Sequence, residues 1–235
     1  MTQDKHPVIF AGAGPGDPDL ITVRAKNALE KADLVIYAGS LVPEAVLCWK
    51  GERTEALSSA GLDLDEIIQK IKKSYENNKR VVRLHTGDPS FYGAIFEQMS
   101  ELDEYGIPYQ VIPGVTAAFA ASAAMDMEYT LPEVTQTLIL TRISGRTPVP
   151  DTEKLETLAA HNASMAIYLS LAHIDKVQEI LAGNYGNDSL CAIAYKVSHP
   201  EEKIFYTPAS ELAATCGKEN ISRHALIIAG PSVEA

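Results

Sequence analysis

Cysteine is scarce in this chain and widely scattered. Its three residues, Cys48, Cys191 and Cys216, are odd in number and form no Cys-x-x-Cys pair, which suggests neither a disulfide framework nor a zinc site. The six histidines show no metal-ligand spacing either, so no protein-bound metal is expected. No apolar run approaches the ~20 residues that span a bilayer. The leading residues MTQDKHP are polar and carry no signal-peptide core, so the expected location is the cytoplasm, with no membrane partner. Positive charge is also short. Against 31 Asp and Glu stand 20 Lys and Arg, a net charge of −11, which excludes a general nucleic-acid binder. An anionic small molecule remains possible if a few cations are placed locally. Gly-x-Ser-x-Gly and Gly-Lys-Ser/Thr are absent as well, so neither a nucleophile elbow nor a P-loop is present.

What is present is glycine and proline in a few places. The stretch GAGPGDPDLIT at 12–22 follows an apolar run, 8–11, that reads as a buried strand. In an open α/β sheet the loop leaving such a strand is where ligands bind. Three glycines and two prolines within seven residues make this loop stiff and bare, so a ligand can approach its backbone. A dinucleotide fingerprint fails here. Asp17 stands at the place of the third glycine, and no carboxylate ends the second strand pattern at 34–37. A nicotinamide redox enzyme is therefore disfavoured. A simple tight turn competes with a ligand site as the reading of this loop.

Short apolar strands recur at 8–11, 34–37, 54–57, 80–84 and 109–112, separated by helical patterns. In the second of these patterns Asp63 and Glu66 have capping-box spacing, and Leu64, Ile67, Ile68, Ile71 and Tyr75 make one apolar stripe. This βαβ alternation predicts a mainly parallel sheet. Its glycine loops, 12–18, 85–93 and 113–116, would leave one sheet edge. The alanine-rich 116–125 is read as a tightly packed helix, with Thr116 as its cap. Beyond it, strands at 136–141, 164–169, 190–195, 203–206 and 225–229 are more closely spaced. Helices are expected at 151–161, at 174–181 and from Thr207-Pro208 onward. The predicted fold class is α/β, with two α/β domains, 1–115 (mainly parallel) and 116–235 (mixed sheet), and an interdomain cleft.

No nucleophile–base pair stands out. His85 is the one histidine at a strand exit inside a glycine loop, and Asp88 beside it offers hydrogen-bond acceptors or, equally, forms the turn before Pro89. Arg142 and Arg146, four apart on a Gly/Pro-rich loop, could clasp carboxylates or could be ordinary solvated arginines. A site of backbone, small residues and a few polar groups suits transfer chemistry driven by alignment, which alone is worth ~7–11 kcal/mol.

Taken as a set, GAGPGDPDLIT, HTGDPSFYGA (85–94) and IPGVTA (112–117) resemble the tetrapyrrole (corrin/porphyrin) methyltransferases over essentially the whole chain. YAGSLV at 37–42, TQTLILTR at 135–142 and GRTPVP at 145–150 are similar to the branch that acts at C-11 of B12 precursors. Ala38-Gly39-Ser40 stands where that branch is expected to have Ala-Asp-Ser, which removes one acidic group. The resemblance implies a homodimer that transfers methyl from S-adenosylmethionine to C-11 of precorrin-4 or its cobalt form, in cobalamin biosynthesis. Uroporphyrinogen III or another precorrin is the alternative acceptor, and a non-catalytic tetrapyrrole-binding module the non-enzyme alternative. Carried onto this chain, the donor contacts fall at Pro15, Thr86, Gly87, Asp88, Phe91, Thr116 and Ala117, and then at Leu169, Tyr195, Lys196, Val197, Ala225 and Leu226. Substrate contacts fall at His85, Arg142 and Arg146, facing acetate and propionate groups, with His85 also the candidate base.

Overall fold

The computed structural model describes residues 6–39, 42, 44–145 and 147–235. The chain separates into two compact units, Met1–Thr116 and Ala117–Ala235.

The first unit alternates strand and helix: β1 Val8–Gly12, α1 Val23–Lys31, β2 Leu34–Tyr37, β3 Glu55–Ser58, α2 Leu64–Glu76, β4 Val81–His85, α3 Ile95–Glu104 and β5 Tyr109–Ile112. The strands form one sheet in the order β3-β2-β4-β1-β5, parallel throughout. The inner strands β1, β2 and β4 are covered on both faces and buried almost throughout, while the edge strands β3 and β5 are largely exposed. Because successive side chains alternate, Val8, Phe10 and Val81 meet α2 and α3 on one face. Ala11, Val82 and Leu84 meet α1 on the other. The capping box opens α2: Asp63 accepts from the Glu66 N–H at 2.9 Å, and Glu66 accepts from the Asp63 N–H at 3.0 Å. From the adjacent strands β1 and β4 the chain leaves to opposite faces, to α1 and to α3. That is the topological switch point at which open α/β sheets bind ligands.

The second unit contains α4 Ala117–Ala124, β6 Leu138–Arg142, α5 Leu155–Ala159, β7 Ser164–Tyr168, α6 Ile174–Tyr185, β8 Leu190–Tyr195, β9 Lys203–Pro208, α7 Leu212–Lys218 and β10 Ala225–Ala229. Its sheet order is β6-β7-β10-β8-β9. Only the β6–β7 pair is parallel. Helices α5, α6 and α7 cover one face and α4 the other. The alanines of α4 do pack tightly: Ala118, Ala120 and Ala121 are buried. Ala118 is held at both polar groups, its N–H donating to the Tyr168 hydroxyl at 2.8 Å and its carbonyl accepting from the Tyr129 hydroxyl at 2.8 Å.

Two expected helices differ. Residues 151–161 are a 3-10 turn, Asp151–Glu153, followed by the short α5, because Lys154 between them is extended (φ −58°, ψ 142°). The segment from Thr207-Pro208 does not open a helix. Strand β9 runs on through Pro208, and a turn at Ala209–Glu211 precedes α7. β9 lies at the edge of its sheet, where a proline breaks no inner ladder.

Candidate active site

In the first unit the three glycine loops are interlocked. Gly14 and Gly87 form a backbone bridge, with the Gly87 N–H donating to the Gly14 carbonyl at 2.8 Å. The Ala13 N–H donates to the His85 carbonyl at 2.7 Å. A Cβ on Gly12 would stand 2.5 Å from the Gly87 carbonyl oxygen and 2.6 Å from Gly114 Cα. A Cβ on Gly114 would collide with that same oxygen. So Gly12 and Gly114 are glycines because backbone meets backbone there, and Gly14 and Gly87 also take positive φ (79° and 60°).

Asp88 ties this arrangement together. One carboxylate oxygen accepts from the Gly114 N–H at 2.8 Å, and the other from the N–H and hydroxyl of Ser90. Its side chain thus forms the turn before Pro89 and crosslinks two of the loops. Pro15 is buried, Thr86, Gly87 and Phe91 are half-buried, and Thr116 and Ala117 follow Pro113-Gly114-Val115 in the third loop, both half-buried. Tyr92 and Ala94 complete the second loop in the left-handed region (φ 56° and 48°), the kind of backbone strain that gathers at functional sites. Asp17, which spoils the dinucleotide pattern, caps a short 3-10 turn instead.

His85 ends β4 and is 4% exposed. Its ring centroid lies 6.1 Å from that of Phe10, and its Nε2 has no hydrogen-bond partner among the described residues. Burial, and then the nearby charge of Arg83, hold its pKa down at about 3. The imidazole is therefore neutral near pH 7 and offers no charge to an acetate or propionate group. Its expected substrate contact narrows to a hydrogen bond.

Arg83, two residues earlier on the same face, was not among the expected site residues. It is 5% exposed, donates to Gln98 Oε1 at 3.2 Å and to the Ile36 carbonyl at 3.3 Å, and is lowered by burial to about 10. Among the described residues it has no carboxylate partner. An arginine inside the apolar run Val81-Val82-Arg83-Leu84 was a readable signal.

In the second unit most of the expected residues meet at one sheet edge. Arg142 at the end of β6 pairs with Tyr168 at the end of β7, and Leu169 follows, 67% exposed with φ 52°. Ala225, at the start of β10, pairs with Tyr195 at the end of β8. The Lys196 N–H donates to the His224 carbonyl at 2.8 Å, and Val197 and Leu226 are buried. The Arg142 guanidinium donates to the Thr147 carbonyl at 2.8 Å and to the Pro148 carbonyl at 3.2 Å, so it braces its own loop. Arg146 lies outside the described residues. Among the described residues no group of three or more His, Cys, Asp or Glu is placed to hold a metal ion. Among the described residues no helix is long and apolar enough to cross a membrane. The Cys191 thiol is pushed up to about 12 by burial, which leaves it inert.

Residues 7–213 match the tetrapyrrole (corrin/porphyrin) methylases. The chain belongs to that family. It is 50% identical to the cobalt-precorrin-4 C(11)-methyltransferase of Methanocaldococcus jannaschii, over 95% of this chain and 86% of that protein. It is 43% identical to the precorrin-4 C(11)-methyltransferase of Pseudomonas aeruginosa, over 97% and 91%. The X-ray structure of a cobalt precorrin-4 methyltransferase of cobalamin biosynthesis superposes with a TM-score of 0.94 at 41% identity, covering 97% of this chain and 96% of that one. The interlocked loops present mainly backbone, and their two carboxylates are both engaged locally: Asp17 caps a 3-10 turn, and Asp88 holds the second and third loops together.

Proposed function

We propose that this methylase transfers the methyl group of S-adenosylmethionine to C-11 of cobalt-precorrin-4 or precorrin-4, in cobalamin biosynthesis. The observation that carries the reading is the similarity, over nearly the whole length, to relatives named for that reaction. The cobalt form is the first substrate to test, because the relative at 50% identity is named for it. Donor contacts are assigned to Pro15, Thr86, Gly87, Asp88, Phe91, Thr116 and Ala117 of the first unit. Leu169, Tyr195, Lys196, Val197, Ala225 and Leu226 of the second are assigned to the same ligand. The substrate is assigned to His85, Arg142 and Arg146. The protein acts as a cytoplasmic homodimer, a state that sedimentation of the purified chain tests directly.

The reaction is an in-line displacement. An electron pair at C-11 forms the new carbon–carbon bond, the sulfur–methyl bond breaks, and the sulfonium becomes the neutral thioether of S-adenosylhomocysteine. The positive charge passes to the conjugated macrocycle and is discharged there by loss of a proton. Positioning therefore dominates. Backbone groups suit a centre that loses positive charge, because a free carboxylate there would stabilise the donor ground state more than the transition state. A neutral His85 serves as a hydrogen-bonding group to the acceptor. His85→Ala is expected to lower turnover at saturating substrate; unchanged turnover would remove it from the chemistry. Substituting Arg146 is expected to weaken substrate binding, and an unaltered affinity would remove that contact.

A further inference from the structure

Beside Tyr195 and Lys196, which this reading gives to the donor, the second sheet carries four residues that it leaves unused. At the edge where β8 ends and β10 begins, a cavity of about 320 Å³ is lined by Lys196, Asn220, Ser222, Arg223 and His224, beside Tyr195. Its backbone is left-handed at Lys196, Asn220 and His224 (φ 45°, 57° and 59°), a conformation that Asn and His adopt more readily than lysine does. The two turns are fastened to each other by the Lys196 N–H on the His224 carbonyl, so the side chains they carry are held together.

Cationic side chains gather at this place, with Glu201 and Glu202 beside Lys196. The chain is strongly acidic overall, yet Lys196, Arg223, His224 and the neighbouring His199 lie within electrostatic reach of one another. His224 is held below the usual histidine range first by burial and then by Arg223, Lys196 and His199. Glu201 meets Lys196 Nζ at 2.9 Å, and Glu202 accepts from the Ser198 N–H. Arg223 has no carboxylate partner among the described residues. An arginine fork without an anion, beside a lysine and two neutral hydrogen-bonding side chains, Asn220 and Ser222, is built to receive a carboxylate.

We propose that Arg223, with Asn220 and Ser222 beside it, forms a carboxylate-binding subsite, and that its occupant is a peripheral carboxylate of the tetrapyrrole. The proposal rests on the function argued above only for the identity of the ligand. The donor's own amino-acid carboxylate shares the same chemistry, so the test must separate the two sources. Local cations in a net-negative protein also steer a polyanion toward the site, an effect that salt screens.

The experiment uses the full chain and the variants Arg223→Gln and Arg223→Lys, with Lys218→Gln on α7, which does not line the cavity, as a charge-loss control. Binding of uroporphyrin III, a fluorescent tetrapyrrole polycarboxylate, is followed at low and high salt, and S-adenosylhomocysteine binding is measured by calorimetry. Arg223→Gln is expected to weaken porphyrin binding about fivefold at low salt, with a smaller loss at high salt. Arg223→Lys should recover part of it, and Lys218→Gln should change nothing. Donor-product affinity should stay constant in both Arg223 variants. Porphyrin affinity unchanged in Arg223→Gln, or a loss confined to S-adenosylhomocysteine, would overturn the proposal. Turnover at C-11 is scored separately, so failure of the reaction and failure of the subsite give different results.

Discussion

The two units present their expected ligand residues in opposite ways. The first does it with backbone: Gly12, Gly14, Gly87 and Gly114 bring three loops so close that two of these positions have no room for a Cβ, and the Asp88 carboxylate closes the arrangement. The second does it with side chains at a mixed-sheet edge, where Arg142, Lys196 and Arg223 stand on turns and strand ends. An edge made of backbone is uncharged and intolerant of substitution. An edge made of long cationic side chains is tolerant and tunable. The first kind of edge fixes a ligand by shape, and the second by charge and hydrogen bonding.

The sharpest way to break this contrast is to add a methyl group where backbone meets backbone. Gly12→Ala or Gly114→Ala should cost roughly 3 kcal/mol or more, a fall of about 10 °C in melting temperature for a chain of this size, and donor affinity should fall with it. A calorimetric scan showing a wild-type Tm would mean the loops are not locked. Asp88→Ala comes next. It leaves the Gly114 and Ser90 N–H groups without their acceptor, at about 2 kcal/mol, measured by denaturant titration. Donor binding should weaken as the second and third loops part.

His85 gives an intermediate effect with a definite sign. Its folded pKa of about 3 lies below the ordinary 6.5, so the unfolded chain binds the proton more readily. The stability it contributes is full above pH 6.5 and is lost as pH falls from 6.5 toward 3, by up to about 1.4 kcal/mol per pH unit. His85→Gln should flatten the pH dependence of stability between 6.5 and 5. The same slope in wild type and variant would show that His85 is not buried in its neutral form. The smallest effect is expected at the other edge. Arg142→Gln releases the Thr147 and Pro148 carbonyls, which are near solvent, and should change stability by less than about 1 kcal/mol. Its consequence should appear in the affinity for the acceptor, not in the melting temperature.

The same contrast explains what could be read from the residues in order. The first edge was legible because a long-range close approach leaves its mark in residue type: a glycine required by it is a glycine in the sequence, and three such loops at strand exits mark one edge. The α2 capping box was legible because it is local, since Asp63 and Glu66 act across a single turn. The second edge was only partly legible. Whether Arg142 reaches a ligand or its own loop depends on where the carbonyls of Thr147 and Pro148 lie. The cluster of Lys196 with Arg223 joins residues far apart in sequence through the antiparallel pairing of β8 and β10. The helix expected over 151–161 is interrupted at Lys154 by its backbone angles, which composition does not signal. Arg83 is a charge inside an otherwise apolar strand pattern, and its burial against Gln98 and the Ile36 carbonyl is set by the packing of α3 and β2 around β4.

The central claim is the acceptor and the position methylated. The purified protein should be incubated with methyl-labelled S-adenosylmethionine and, in parallel, with cobalt-precorrin-4, metal-free precorrin-4 and uroporphyrinogen III, and the added methyl located by mass spectrometry and NMR. The account predicts label at C-11 of a precorrin-4 substrate and none on uroporphyrinogen III. Label on uroporphyrinogen III alone would contradict it: the fold and the glycine edge would stand, and the assignment of the acceptor, from Arg142 through the 145–150 loop, would fall.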